Sequence, residues 1–246
     1  MGELIAVLSG KGGTGKTSVC AGIASALAFQ GERVLCIDCD IGLRNLDIAL
    51  GLSDMGSLSF LDVCRGDYAL ADALHHPDFP HLQFLTAPMG CAASGIDQDA
   101  FDQMLCQAKE QFAYVFLDAP AGIEAGFQMA ARHADRVLLV TGPDPAAVRD
   151  AARAVDVLEL MGKKNVRLIV NRINKKLAAA TKTTVDDIMD QSGLPLMGVV
   201  PEDTNVTLAA VYKKPLLLYR RNGTPAAAAC CRIARRIQGF PTPIFL

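Results

Sequence analysis

Residues 10–17 combine glycines, lysines and a hydroxyl at a spacing that suits phosphate binding. They read GKGGTGKT and fit the pattern G-x-x-x-x-G-K-[ST], with a second lysine, Lys11, directly after the first glycine. In such a loop the glycines let successive backbone N–H groups turn inward around an anion. Lys16 would contact the β- and γ-phosphates, and the Thr17 hydroxyl would bind Mg²⁺. The predicted phosphate-binding residues are Gly10, Lys11, Gly12, Gly13, Thr14, Gly15, Lys16, Thr17 and Ser18.

The segments on either side of the loop are those that a phosphate site needs. Leu4–Leu8 is a short apolar run typical of a buried strand, and Lys16–Gln30 has a helical pattern that ends at Gly31. A phosphate would therefore lie at a helix N-terminus, where free N–H groups and the helix dipole favour an anion. A chance match to the pattern would not account for this context.

Two aspartates end predicted strands. Asp38 closes the run RVLCID, with Asp40 two residues later, and Asp118 closes YVFLD. An apolar strand that ends in aspartate commonly holds Mg²⁺ through water in phosphate-loop nucleotidases, so Thr17, Asp38 and Asp118 form the predicted metal site. We assign Asp40 to orienting the attacking water. The alternatives are a helix N-cap for Asp118 and a turn residue for Asp40.

Lys11 is not required by the ordinary pattern. Because the loop backbone wraps the phosphates, its side chain is expected to point away from its own nucleotide. It could reach a γ-phosphate presented by a second subunit placed face to face, and there neutralise charge in the transition state as an arginine finger does. Hydrolysis would then depend on dimerisation, with Lys11, Lys16 and Asp40 as catalytic residues. A solvated lysine is the alternative.

Short apolar runs alternate with helix-length segments along the chain. Further strands are predicted at Leu82–Thr86, Arg136–Thr141, Val166–Val170 and Leu196–Val200, and helices at Ala100–Phe112, Glu124–His133, Pro145–Met161 and Pro225–Gln238. The near-continuous apolar character of several runs favours strands buried on both faces. We predict an α/β fold with a doubly wound, largely parallel β-sheet, helices on both faces, and ligands at the carboxyl ends of the strands. One domain is expected over 1–246, with 239–246 as a short proline-broken apolar tail.

Composition favours a cytoplasmic protein without metal-binding cysteines. Hydrophobic residues make up 51% of the 246, yet no apolar run approaches the ~20 residues of a membrane span. Met1-Gly2-Glu3 leads straight into the first strand, without the basic region of a signal peptide. Of the eight cysteines, Cys36 and Cys39 have a CxxC spacing, but residues three apart on a strand face opposite sides. Structural thiols are therefore expected.

The net charge of −2 conceals an asymmetry. No acidic residue follows Asp203, whereas the remainder of the chain carries seven basic residues. They are Lys213, Lys214, Arg220, Arg221, Arg232, Arg235 and Arg236. This bias suits an anionic partner, either DNA or a membrane surface.

Several segments together resemble the MinD/ParA class of deviant phosphate-loop ATPases and, within it, the MinD septum-site-determining proteins. The class signature is KGGTGKT at 11–17, and the segments DCDIGLRNLD at 38–47 and DAPAGIE at 118–124 are more specific to MinD. Further matches are Val148-Arg149-Asp150, Asn171-Arg172 and Val200-Pro201-Glu202-Asp203. The resemblance covers residues 3 to about 238.

The resemblance implies a P-loop NTPase fold of the SIMIBI type and an ATP- and Mg²⁺-dependent sandwich homodimer in which Lys11 crosses to the partner's nucleotide. It implies that Asn171, Arg172 and the loop of Pro201, Glu202 and Asp203 line the adenine site. It also implies that the helix around Arg149 and Asp150 binds a division regulator, MinC or MinE. Solvated charges at Arg149 and Asp150 are the alternative.

One departure concerns the membrane. Proteins of this family usually carry a further amphipathic helix, whereas Phe240-Pro241-Thr242-Pro243-Ile244-Phe245-Leu246 contains two prolines that prevent one. Arg232, Arg235 and Arg236 share a stripe on the preceding helix, and only weak binding to an anionic membrane surface is expected. The alternatives are a ParA-like DNA-segregation ATPase, which the MinD-like segments disfavour, and an iron–sulfur carrier that uses Cys91.

Overall fold

The computed structural model describes residues 1–90 and 95–244, in which eight strands form one sheet. The strands are β1 (Glu3–Leu8), β2 (Val34–Asp38), β3 (Leu74–His75), β4 (Leu82–Leu85), β5 (Tyr114–Asp118), β6 (Arg136–Thr141), β7 (Val166–Ile173) and β8 (Leu196–Pro201). Their order is β3-β4-β2-β5-β1-β6-β7-β8, and every pair is parallel except β3 with β4. The predicted largely parallel sheet is confirmed, whereas the two-residue β3 was not predicted.

Helices connect the strands and cover both faces of the sheet. They are α1 (Lys16–Phe29), α2 (Leu46–Leu50), α3 (Phe60–Cys64), α4 (Gln98–Gln111), α5 (Ala125–Arg132), α6 (Pro145–Leu160), α7 (Lys175–Thr181), α8 (Val185–Ser192), α9 (Thr204–Val211), α10 (Leu216–Tyr219) and α11 (Pro225–Ile237). None of those formed by the described residues is long and apolar enough to cross a bilayer.

The core has two layers, one on each face of the sheet, because successive side chains of a strand point to opposite faces. In β1, Ile5 and Val7 face the layer that α1 and α11 cover, whereas Leu4 and Ala6 face the layer that α4, α5 and α6 cover. Both sets are almost completely buried. Burial on both faces explains why β1 reads as a continuous apolar run.

The strand order places the loop after β1 at the middle of one sheet edge. β1 lies between β5 and β6, so the chain turns from one half of the sheet to the other around it. Ligands of open α/β sheets bind in the crevice at such a reversal, beyond the carboxyl ends of the strands. The ends of β2 and β5 lie beside that crevice, since Asp38 and Asp118 are register partners.

The chain after α11 has no regular structure over residues 240–244. Pro243 and Ile244 line a small gap beside β8, together with Met197 and Ile233. Phe245 and Leu246 lie outside the described residues.

Candidate functional site

The loop between β1 and α1 forms one wall of a cleft of about 360 Å³. Ser9 and residues 11–18 line it, together with Asp40, Arg172 and Lys214. Gly15 is the N-cap of α1 and has φ +82°, a left-handed conformation that favours glycine. Glycine has no side chain to cap the first-turn N–H groups of α1, so these groups remain suited to an anion.

The loop is attached to β7 through a buried amide. The Asn171 side chain donates to the Thr14 carbonyl at 2.7 Å, and a Cβ on Gly15 would collide with the same amide. The buried Thr14 hydroxyl has no hydrogen-bond partner among the described residues. Buried polar groups are rarely left unpaired, so this hydroxyl fits a site that is completed by a ligand.

Lys16 begins α1 and forms a buried ion pair. Its ammonium lies 2.5 Å from Asp118 Oδ1, and the two side chains are only 6% and 1% exposed. Thr17 also donates its hydroxyl to Asp118. Burial raises the pKa of Asp118, and the Lys16 charge offsets part of this increase. The predicted phosphate-binding lysine and one predicted metal-site carboxylate are thus in direct contact.

Asp38 lies beside Asp118 at the end of the neighbouring strand. Burial, followed by the charge of Asp118, raises the pKa of Asp38 to about 7. Its two oxygens accept backbone N–H groups from Asp40 at 2.9 Å and from Leu46 at 3.1 Å, which opposes the increase. Two buried carboxylates and the Thr17 hydroxyl form an oxygen-rich set, which is the donor chemistry that Mg²⁺ prefers.

Asp40 lies between β2 and α2 and lines the same cleft. Its Oδ1 accepts the Leu43 N–H of the same loop at 3.2 Å. Among the described residues, Asp40 forms no ion pair. Arg44 in this loop adopts a left-handed φ of +50° and donates to the Thr86 hydroxyl at 3.1 Å. The loop therefore stores backbone strain next to the cleft.

Lys11 contacts a residue that the sequence did not identify. Its ammonium lies 3.4 Å from Asp144 Oδ1, and the side chains are 43% and 56% exposed. Asp144 is the N-cap of α6, where it accepts the Ala147 N–H at 3.0 Å. That backbone hydrogen bond, with a further contribution from Lys11, holds the pKa of Asp144 below its ordinary value, although burial acts in the opposite direction. No spacing rule links residues 11 and 144, so only the fold shows this contact.

A second cleft of about 300 Å³ adjoins the first. Residues lining it include Asn171, Arg172, Pro201, Glu202 and Asp203. Ser18 and Arg172 line both clefts, and Arg172 has a left-handed φ of +58° where β7 is irregular. The predicted adenine-site residues therefore come together next to the predicted phosphate site.

Two carboxylates of the second cleft already have structural partners. Asp203 caps α9 and also accepts the Ala226 N–H of α11 at 3.1 Å. Glu202 accepts the Asn174 amide at 2.9 Å. Both residues line the second cleft, and the Asp203 carboxylate joins two helix N-termini.

The predicted partner-binding residues lie on α6, next to the phosphate loop. Arg149 is exposed and lines a shallow depression with Val148 and Gln191. Asp150 pairs with Arg153 at 3.5 Å, and its backbone carbonyl packs so closely on Gly10 that a Cβ there would collide with it. α6 thus packs directly on the first residue of the phosphate-binding loop.

Four of the seven cysteines within the described residues are buried, whereas Cys106 is exposed. Cys36 and Cys39 are buried, and burial raises the pKa of both thiols. Within residues 1–90 and 95–244, no group of three or more histidine, cysteine or acidic side chains is arranged to hold a metal ion. Cys91 lies outside the described residues.

Lys214 also lines the first cleft, although the sequence indicated it only as part of the basic C-terminal region. It follows Lys213, which has a left-handed φ of +51° and pairs with Asp54 at 2.6 Å. No motif in the sequence marks either position.

Comparisons with known proteins agree with this geometry. Residues 5–216 match the model of the CobQ/CobB/MinD/ParA nucleotide binding domain. The septum site-determining protein MinD of Synechocystis sp. is 36% identical over 245 residues, which cover 99% of this chain and 92% of that protein.

Solved structures extend the similarity. The MinC:MinD cell division protein complex of Aquifex aeolicus contains a chain with a TM-score of 0.90 and 35% identity, covering 99% of both chains. The septum site-determining protein MinD of Pyrococcus horikoshii, complexed with Mg-ADP, has a TM-score of 0.80 and 26% identity, covering 96% of both.

Proposed function

The chain belongs to the CobQ/CobB/MinD/ParA nucleotide-binding family and is a MinD-type septum-site-determining ATPase. We propose that ATP binding drives its dimerisation and that dimerisation switches its activity. The observation that carries the proposal is the arrangement around the phosphate loop. Lys16 is buried against Asp118, whereas Lys11 lines the cleft with a partly exposed side chain and a long contact to Asp144. The first lysine suits a nucleotide of the same subunit, and the second is free to reach another.

Lys16 and Asp118 would each serve a different part of the ligand. The two residues form a buried ion pair. With ATP bound, the Lys16 ammonium would contact the β- and γ-phosphates, and Asp118, Asp38 and Thr17 would hold Mg²⁺. The metal would supply positive charge that stabilises the phosphates, as in other phosphate-loop enzymes. Mg-ADP in the Pyrococcus horikoshii relative supports ATP and Mg²⁺ as the ligands.

Hydrolysis needs a positioned water, and Asp40 is the residue we assign to it. Its carboxylate faces the cleft and has no basic partner among the described side chains. An unpaired carboxylate can accept a proton from a water molecule or orient it by a hydrogen bond. Arg44 in the same loop has a strained, left-handed backbone conformation. Loss of the γ-phosphate would allow the loop to rearrange and relieve this strain.

Lys11 would act in trans. Its pair with Asp144 is long and exposed, and such surface pairs contribute only about 0–1 kcal/mol. Breaking the contact with Asp144, so that Lys11 can bind a phosphate of the facing subunit, therefore costs little free energy. In a water-excluded interface the ammonium would stabilise the charge of the transferred phosphoryl group much more strongly than it does in solvent.

The second cleft is the proposed adenine site. Asn171 holds the loop through its hydrogen bond to Thr14, Arg172 lines both clefts, and Pro201, Glu202 and Asp203 form a further wall of the second cleft. Because Asp203 is used to cap helices, we assign it the task of holding this wall in place rather than contacting the base.

A division regulator is the proposed protein partner. The Aquifex aeolicus relative is a complex of MinC with MinD, which supports a MinC-like partner here, and a MinE-like regulator is a further proposal. We assign Arg149 and Asp150 to this contact because α6 packs directly on the phosphate loop through Gly10. A change in the loop on nucleotide binding would then shift α6, the helix that the partner binds.

We further propose that residues 1–246 act as one domain that associates weakly with anionic membranes on the cytoplasmic face. The acid-free segment after Asp203 supports this proposal through its charge. The same charge would suit a ParA-like role on DNA, and sedimentation with DNA distinguishes the two. An iron–sulfur carrier would be coloured, so a colourless purified protein excludes it.

The dependence of turnover on protein concentration tests the switch. If two chains are needed for hydrolysis, the rate per chain rises with concentration and then reaches a plateau once dimers predominate. Asp40→Ala is the inactive reference, because it should bind ATP and dimerise without hydrolysis. A rate per chain that is independent of concentration, for a protein that remains monomeric with ATP, would contradict the proposal.

A further inference from the structure

α9 presents apolar side chains to solvent instead of burying them. Of its eight residues, TNVTLAAV, only Ala209 is buried. Leu208 is 37% exposed, Val211 68% and Tyr212, which caps the helix, 62%. Residues three and four apart share one face of a helix, so these three side chains form a continuous stripe. Contiguous exposed apolar groups of this kind mark interaction sites more often than isolated ones do.

α10 extends the stripe with an aromatic contact. The ring of Tyr219 stacks on Tyr212 with 6.0 Å between centroids and 21° between planes. The Arg220 guanidinium lies 5.6 Å from the centre of the Tyr219 ring and donates to the Asn205 side chain of α9 at 2.7 Å. Leu208, Val211, Tyr212 and Tyr219 therefore belong to a single fixed surface, here termed the α9–α10 surface.

Positive charge borders this surface. Arg220 and Arg221 are exposed and have no carboxylate partner within the described part of the chain. Lys213 pairs with Asp54, and Lys214 lines the first cleft, so neither is counted here. The charges surround aliphatic and tyrosine side chains, which is the composition of protein surfaces that enter the headgroup layer of a membrane.

The basic residues of α11 are less available. Ile233 and Ile237 are buried, and Arg232 and Arg236 are half-buried beside them. Arg235 is exposed, and its guanidinium lies over the Phe240 ring at 5.5 Å. Phe240 and Ile244 are themselves partly exposed, but they are only two apolar side chains, whereas α9 and α10 expose Leu208, Val211, Tyr212 and part of Tyr219. The larger exposed apolar area therefore lies on α9 and α10, next to Arg220 and Arg221.

We propose that the α9–α10 surface docks on anionic lipid membranes, with Val211 and the Tyr212 ring entering the headgroup layer and Arg220 and Arg221 contacting lipid phosphates. The inference rests on the membrane association proposed above and gives it a location. A second copy of the chain fits less well, because a symmetric contact here would bring the two arginines of each copy together. DNA fits less well, since its phosphate backbone provides no apolar surface that could pack on Leu208 and Val211.

The test is sedimentation of the full-length protein, with Mg-ATP, onto vesicles of phosphatidylcholine with one quarter phosphatidylglycerol. Val211→Glu adds a negative charge to an already exposed position, and we expect vesicle affinity to fall at least about fivefold. Leu160→Glu is the matched control, since Leu160 is 89% exposed at the far end of α6, and it should bind as the parent does. Arg221→Gln should lose about fivefold, and Arg235→Gln should change little.

Each outcome decides between explanations, provided that ATP turnover and urea unfolding show the variants to be intact. Equal binding of Val211→Glu and the parent would overturn this location while leaving the membrane association in place. Absence of parent binding to the anionic vesicles would overturn both. If Val211→Glu loses ATP-dependent dimers, the surface contacts a second copy of the chain, and the inference is overturned. If Val211→Glu loses DNA binding but keeps vesicle binding, the surface binds DNA, and the inference is likewise overturned.

Discussion

The buried carboxylates at the ends of β2 and β5 predict an unusual dependence of stability on pH. Burial and the charge of Asp118 raise the pKa of Asp38 from 3.8 to about 7. Because the folded-state pKa is raised, the stabilising contribution of the neutral carboxyl is complete below about pH 4 and is lost as the pH rises through 7. A shift of about three units corresponds to roughly 4 kcal/mol, of which roughly 3 kcal/mol falls between pH 5 and pH 8.

Asp38→Asn tests this reasoning, since it preserves the size of the side chain but cannot ionise. One of the two backbone N–H groups, from Asp40 or Leu46, loses its acceptor, at a cost of about 1 kcal/mol at every pH. Relative to the parent, the free energy of unfolding of the variant should therefore increase by about 3 kcal/mol from pH 5 to pH 8. Urea unfolding of the nucleotide-free protein across this range measures the difference.

Asp54→Asn is the control, because Asp54 is an exposed carboxylate paired with Lys213 at the surface. It should follow the parent closely at every pH. If Asp38→Asn also runs parallel to the parent, then Asp38 is ionised throughout the range, and the argument from burial and the neighbouring charge is wrong.

Three further predictions concern the loop. Lys16→Ala should weaken ATP binding by about 2–3 kcal/mol, because a charged hydrogen bond to the phosphates is lost, and titration with a fluorescent ATP analogue would detect it. Asn171→Ala releases the Thr14 carbonyl, so the same titration should show a weakening of about 1–2 kcal/mol; an unchanged affinity would mean that the amide does not hold the loop. Gly10→Ala places a Cβ against the Asp150 carbonyl, and urea unfolding should show a loss of about 1–3 kcal/mol.

Local sequence patterns predicted seven of the eight strands and five of the eleven helices within the described residues; the short helices α2, α3 and α7 to α10 were not predicted. α1 begins at Lys16 as predicted, and β5 and β6 have the predicted bounds, because each is an apolar run or a helical pattern with clear end signals. The two-residue β3 was missed because its pairing with β4, rather than any pattern of its own, makes it a strand.

The sequence indicated several residues that the structure brings together, but not the contacts between them. Position at a strand end led to the prediction of a metal site at Asp38 and Asp118, whereas the ion pair of Asp118 with Lys16 spans 102 residues and depends on strand order. The Lys11–Asp144 contact spans 133 residues and pairs a loop with a helix cap, so each residue alone has an ordinary local explanation. The resemblance implied that Asp203 lines the adenine site, but not that its carboxylate would be used to join α9 and α11.

The role of Lys11 across the dimer interface is the central claim, and Lys11→Ala tests it most directly. We predict that the variant binds ATP as the parent does but neither dimerises with ATP, by light scattering, nor turns it over. Asp144→Ala is the matched control, because it removes the resting partner of Lys11 and should leave dimerisation intact. Dimers and turnover at the parent level in Lys11→Ala would contradict the account.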